Sequence, residues 1–338
     1  MAWGDAGSLL NMVAIARPIA RWFVQARYPT GTNLLPILMY HRVLKEPDPL
    51  QPDVPDIRQM AEQFRALAGA FKVLRLHEAA EMLRDGRLPA GAACITFDDG
   101  YRDNHDLALP LLREFRLPAT VFVTTGFLNG GCMFNDTVVE TVRRLPPGAI
   151  DLSEVGLGTR MITDIASRRA LVSDLTRAVK YLDPQHRHDF CAELCRKAGA
   201  KLPNDLMMDD HQVRALSDSG LVDIGGHTVT HPILAKVDPE QARREIADNR
   251  DRITELTGHQ PLCFAYPNGK PDLDYAAVHA RMVQEAGYSS AVSTAVGVAT
   301  DQADPYQLPR FMPRERSAAQ FVARMMRMAT HRHPQFAR

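Results

Sequence analysis

Two adjacent carboxylates, Asp98 and Asp99, close the apolar run Ile95-Thr96-Phe97 and are followed by Gly100-Tyr101; their types and spacing are the first in the chain to suggest chemistry. Successive strand side chains point to opposite faces, so neighbouring acids reach one site only where the strand ends and the backbone turns. Gly100 makes that turn accessible. Taken alone, the pair is explained equally well by Asp99 capping a following helix with Asp98 in solvent. The segment His227-Thr228-Val229-Thr230-His231 adds two imidazoles four residues apart. On a helical turn that spacing sets both on one face, as divalent metal ligation by imidazole requires. It is not the HExxH helix of zinc proteases: Thr228 stands where a catalytic Glu is needed, and Pro232 with its β-branched neighbours favours a strand-end loop or single turn. With Asp99 from another strand end, the histidines make a two-His, one-carboxylate set with positions open for water and substrate.

Two further segments carry weaker chemistry. Phe264-Ala265-Tyr266-Pro267-Asn268-Gly269 ends a strand in a Pro-Asn-Gly turn. Turn composition explains it; the functional reading has Tyr266, Pro267, Asn268 and Gly269 walling a substrate groove, with a backbone amide aimed at a developing oxyanion. Leu38-Met39-Tyr40-His41-Arg42 puts a histidine at the end of the first strand, where a structural role is the commoner one.

The elements that must position these residues alternate. Short apolar runs at Ile37–Val43, Phe71–Leu76, Ala93–Asp98, Thr120–Thr124, Val222–Gly226, Leu262–Tyr266 and Ser290–Ser293 read as strands. Helical patterns lie between them at Ile57–Ala70, His77–Asp85, Asn104–Phe115, Pro239–Leu256 and Leu273–Ala286, with another at Ser317–Met328. Such alternation predicts an α/β fold with a parallel sheet, doubly wound or closed, and seven strands favour a barrel. The rhythm breaks between about Phe134 and Asp218, where the helical patterns Arg168–Leu182 and Gln185–Ala198 run without a strand between them. That stretch reads as a helical insertion on the loop face.

The motifs Thr96-Phe97-Asp98-Asp99-Gly100-Tyr101 and His227-Thr228-Val229-Thr230-His231, in this order, resemble those of the polysaccharide deacetylases, the NodB-like carbohydrate esterases of family four. The resemblance spans about Leu35 to Met312. It implies a distorted (β/α)7 barrel of the NodB type with one divalent metal, zinc first and cobalt, nickel or manganese as alternatives. Asp99, His227 and His231 fall on the metal-ligand positions and Asp98 on that of the catalytic base. Many members carry an arginine two residues before the third-motif proline, where this chain has Ala265. The members with an N-terminal Tyr-His-Arg-Val look circularly permuted, which puts His41 on the position of the catalytic acid and leaves the arginine's task to another donor, for which Arg310 is the candidate. The implied chemistry is metal-assisted N-deacetylation of a 2-acetamido sugar in a bacterial polysaccharide, glycan or lipid-linked precursor, with the Tyr101 amide at the oxyanion. O-acetyl ester hydrolysis, small-molecule amide hydrolysis and non-catalytic glycan binding are the alternatives.

The chain has 338 residues, 45% hydrophobic and 24% charged, an ordinary globular composition. Forty basic and forty acidic residues give no net charge, so nucleic acid is not an expected partner; an acetylated glycan is. Cysteines at 94, 132, 191, 195 and 263 form no CxxC pair and read as reduced thiols. The uncharged run from Ala6 to Ala16 is too short to span a bilayer and lacks the basic flank of a signal peptide. Ile15, Ile19, Trp22 and Phe23, with Arg17 and Arg21 beside them, fit an interfacial anchor, although packing on the chain's own domain explains them too and Pro18 weakens a continuous helix. The expected organisation is an N-terminal helical extension at 1–34, a catalytic domain at 35–316 with the insertion at about 134–218, and a C-terminal helix with a basic tail at 317–338, located in the cytoplasm or peripherally at a membrane.

Overall fold

The computed structural model describes residues 20–31, 33–330 and 336–338. Seven parallel strands form the centre: β1 Ile37–Tyr40, β2 Ala92–Phe97, β3 Ala119–Val123, β4 Val222–Gly226, β5 Cys263–Ala265, β6 Ser290–Val296 and β7 Leu308–Arg310. Each pairs with its neighbours in chain order. The ring closes where Met39 N–H donates to the Phe311 carbonyl at 3.0 Å and Phe311 N–H donates to that of Ile37 at 3.1 Å. β2 is buried along its whole length, as a continuous apolar run in a covered parallel sheet should be.

The number of strands is that expected, but one member differs. Phe71–Leu76 yields only the short strand Lys72–Val73 beside the start of β2, and the seventh barrel strand is Leu308-Pro309-Arg310. A proline removes a ladder donor and masks a strand in sequence; here it is tolerated because the strand is three residues long and lies beside the closure.

Alternation along the strands separates two cores. Leu38, Ile95, Val121 and Ile224 pack outward under α1 (Ile57–Ala70) and neighbouring helices. Ile37, Cys94, Phe122, Ala265, Val292 and Leu308 belong to a second cluster that fills the lumen. Continuing the inward positions of β2 from Cys94 by twos leads to Thr96 and Asp98, and of β7 from Leu308 to Arg310. The apolar lumen therefore gives way to a polar layer at the carboxyl ends of the strands.

The insertion begins at α4 (Phe134–Arg144), which follows α2 (Leu76–Arg84) and α3 (Leu109–Phe115). It continues through α5 (Ile165–Lys180) and α6 (Pro184–Lys197) and has its own core of Val138, Val142, Leu171, Leu175, Phe190 and Leu194. It is not wholly helical: Gly148–Asp151 pairs antiparallel with Thr159–Ile162. Those strands carry too few β-branched residues and too much exposed polar surface to stand out in sequence. The helix α7 (Asp210–Ser217) belongs to the barrel instead, because Val213 and Leu216 join the outer core. The next helices are α8 (Pro239–Thr257), α9 (Ala277–Glu285) and α10 (Ala318–Met328). Phe321, Met325 and Met328 dock α10 on the outer core, and Ala337 N–H donates to Gln307 at 2.7 Å, so the described end of the tail folds back onto the domain. Of the expected anchor, Ile15, Arg17, Pro18 and Ile19 lie outside the described residues, whereas Trp22 and Phe23 are 64% and 53% exposed. Among the described residues no helix is long and apolar enough to cross a membrane.

Candidate active site

Asp98 and Asp99 part company at the end of β2. Asp98 stays in the lumen, its amide donating to the Tyr40 carbonyl at 2.9 Å. Asp99 then adopts φ +77° and Gly100 φ +87°, a left-handed pair that reverses the chain and swings the second carboxylate to the barrel mouth. The histidine motif makes a similar turn after β4, with Thr228 at φ +64° and His231 at φ +55°.

These two turns bring Asp99, His227 and His231 together, one ligand atom from each lying within 4.8 Å of the others. Asp99 Oδ1 is 3.3 Å from His227 Nε2 and 3.4 Å from His231 Nε2. Donors about 2.1 Å from a tetrahedral ion stand about 3.4 Å apart, so the two separations from Asp99 suit a first-row divalent cation. Asp99 Oδ1 is also buried without a hydrogen-bond partner, as a carboxylate reserved for a cation would be. His227 Nδ1 lies 2.7 Å from the Ala265 carbonyl, an arrangement that puts the proton on Nδ1 and leaves the Nε2 lone pair free for a cation. Burial pushes the His231 imidazole down to about 3, which keeps it neutral and its lone pair available. Burial would raise Asp99, but the imidazoles of His227, His41 and His231 around it hold it well below the usual carboxylate range. All five cysteines are free, and none joins this set.

Asp98 is held from the opposite side of the lumen. Arg310 donates from both terminal nitrogens to both carboxylate oxygens, each at 2.7 Å, and also to the Thr96 hydroxyl and the Ser293 carbonyl, each at 3.0 Å. The guanidinium lies over the Phe122 ring, and a Cβ on Gly225 would overlap that ring, so the glycine of β4 leaves room for the aromatic support. Burial would raise the Asp98 carboxyl; the charge and hydrogen bonds of Arg310 overcome this and hold it below its ordinary value. Position 265 contributes its carbonyl to His227, and the arginine in the lumen comes from β7. His41, partly exposed at the mouth, has Nε2 3.9 Å from Asp98 Oδ2, and its carbonyl accepts from Asn104 at 2.8 Å.

His41, Asp99 and Tyr101 line a cavity of about 250 Å³ together with Arg42, Asn135 and Asp136. It shares Gln51 and Val54 with a second groove of about 430 Å³ that runs toward Arg58, Arg169 and Arg316. The Tyr101 side chain is turned from the reacting corner: its hydroxyl donates to Asp136 at 3.0 Å. Burial raises Asp136 to about 7 against the opposing charge of Arg42. The third-motif loop does not line this cavity. Tyr266 stacks on Tyr275 with ring centres 3.9 Å apart and donates to the Tyr306 carbonyl, so its large apolar ring joins the core. Asn268 and Gly269 are tied to Thr294 by bonds of 2.7 and 2.9 Å, and with Pro267 they shape a turn beside the His227 support.

The sequence reading missed Glu245 and Asn249. Glu245 accepts from the amides of Val229 and Thr230, both at 2.8 Å, and from the Thr230 hydroxyl. Asn249 accepts from His227 N–H at 3.1 Å and donates to the carbonyls of Val123 and Thr228 at 2.9 and 2.6 Å. Both lie on the buried stripe of α8 with Ala242, Ile246 and Ile253. Polar residues interrupting an apolar stripe were the available signal.

A family model for polysaccharide deacetylases matches residues 85–156 and 162–291. The chain belongs to the polysaccharide deacetylase family, and it is a hydrolase of that type. The match begins after β1 and ends in β6, so His41 and Arg310 lie outside it. YxkH of Bacillus subtilis (strain 168), named as a polysaccharide deacetylase, is 22% identical over 282 residues, covering 82% of this chain and 70% of its own. Among solved structures, the Streptococcus pyogenes deacetylase PplD in complex with acetate superposes with TM-score 0.58 at 19% identity, over 87% of this chain and 98% of that one. IcaB from Ammonifex degensii gives TM-score 0.54 at 19% identity, over 86% and 96%. Those likenesses speak for the fold, a seven-stranded NodB-type barrel.

Proposed function

We propose that this protein is a metal-dependent N-deacetylase acting on a 2-acetamido sugar within a bacterial polysaccharide, glycan or lipid-linked precursor. The observation that carries the reading is Asp98, buried and kept ionised by Arg310 beside the Asp99, His227 and His231 cluster. A divalent ion there, zinc by preference, would supply positive charge that polarises the acetyl carbonyl and lowers the pKa of water. Asp98 accepts the proton of the attacking water. The Tyr101 amide, just beyond the Asp99–Gly100 reversal, faces the developing oxyanion. His41 donates a proton to the departing sugar nitrogen, which leaves as an amine. The groove beyond Gln51 and Val54 supports a substrate longer than one ring. The exposed Trp22 and Phe23 support peripheral membrane contact, which loss of vesicle co-sedimentation in a Trp22→Ser, Phe23→Ser variant would test.

Zinc-loaded protein incubated with acetamido-glycans should release acetate and free amine in equal amounts. Hydroxyl product from O-acetylated glycans alone would make it an ester hydrolase. Glycan binding without acetate release would make it a non-catalytic module.

A further inference from the structure

The insertion reaches into the reacting cavity with the first turn of α4. Asn135, Asp136 and Val139 line the same space as His41, Arg42 and Asp99. Asp136 is 4% exposed, a carboxyl group placed at costly depth unless it is satisfied. Its Oδ2 accepts from the Tyr101 hydroxyl at 3.0 Å, and its Oδ1 is 3.9 Å from an Arg42 nitrogen. Asn135 donates to the same hydroxyl at 3.4 Å, while its own carbonyl oxygen is buried without a partner. The deacetylation steps above use neither residue.

Their placement suits recognition. Tyr101 is two residues beyond Asp99, so groups tied to its hydroxyl stand at a set position relative to the metal corner. The cavity, about 250 Å³, falls near the low end of the ~300–1,000 Å³ typical of small-ligand sites and has room for one sugar ring. A pyranose presents neighbouring hydroxyl donors, which match the carbonyl oxygen of Asn135 and the carboxyl of Asp136. Arg42, stacked over Tyr101 and bound to Asp103 at 2.9 Å, fixes the other side of this group.

We propose that Asn135 and Asp136 read the ring hydroxyls of the acetamido sugar, so that sugar specificity is carried by the insertion rather than by the barrel. The inference rests on the deacetylase reading. The test uses the full-length, zinc-loaded protein and the variants Asn135→Ala and Asp136→Asn, assayed on oligomers of N-acetylglucosamine and N-acetylgalactosamine and on 4-nitrophenyl acetate, which has no ring hydroxyls. Each variant should raise KM for the preferred oligomer about 10- to 100-fold, the scale of a lost hydrogen bond to a polar or charged group, with kcat changed by less than about threefold. The preference between the two sugars should narrow, while ester hydrolysis and metal content stay at wild-type level. Equal losses on oligomers and ester would show that the pair merely supports Tyr101 and would overturn the inference, as would unchanged KM and preference in both variants. Wild-type protein that cleaves the ester and no acetamido sugar overturns the deacetylase reading itself.

Discussion

Arg310 and Asp98, 212 residues apart in the chain, meet in the barrel lumen as a two-point ion pair with both N···O distances at 2.7 Å and both side chains buried. The Asp98 carboxyl is depressed in the folded protein, so the pair's stabilisation is present above the unfolded carboxyl value and is lost as pH falls through the folded one. Arg310→Ala should raise the Asp98 pKa and therefore move the acidic limb of kcat/KM to higher pH. It should also cost about 3–5 kcal/mol of stability, the scale for leaving one member of a buried pair uncompensated. Arg310→Lys should restore charge but not the planar fork, and so recover the limb only in part. A pH–rate profile and a denaturant melt check both; an unchanged limb would place the base elsewhere.

Asp98→Asn should abolish turnover, by roughly 10²–10⁴, while leaving bound metal at the wild-type ratio, because the amide keeps the shape of the carboxylate but cannot take a proton. Acetate release and metal analysis on the same sample measure the two effects.

His41 lies at the cavity mouth, 3.9 Å from Asp98, and in the proposed reaction it protonates the leaving group. His41→Ala should slow acetamide cleavage by about 10²–10⁴ and spare 4-nitrophenyl acetate, whose phenolate leaves without a proton. Comparable losses on the two substrates would assign His41 a structural role.

Asn249 ties the His227 turn to β3 and to Thr125 just beyond it through four hydrogen bonds of one buried side chain. Asn249→Ala should weaken metal affinity about 10- to 100-fold, as loss of outer support to a ligand commonly does. Competition with a chromophoric chelator reads this directly, and normal affinity would mean that the turn holds itself.

Chelation of the purified protein should stop acetate release and lower the melting temperature, both reversed by added zinc, since an ion that binds only the folded state stabilises it by mass action. His231→Ala should show the chelated behaviour without chelator. Full metal content in that variant would remove His231 from the ligand set.

The residues of the candidate site in segments 96–101 and 227–231, and their order along the chain, were legible because metal ligation and proton transfer would demand particular side chains at the ends of apolar runs. The strand and helix rhythm was legible for the same local reason, period two against period 3.6. Only the closed barrel decided the rest. It turned Leu308-Pro309-Arg310 into a strand and so seated Arg310, already singled out by the resemblance, on the buried Asp98. It set Glu245 and Asn249, on the buried stripe of α8, against the back of the histidine turn, and sent Tyr266 into the core. It also placed Asn135 and Asp136 beside Asp99. Local sequence specifies which way a side chain can point, but which distant group it meets depends on closure of the sheet and on where the insertion docks, and both are set by packing summed over the whole chain.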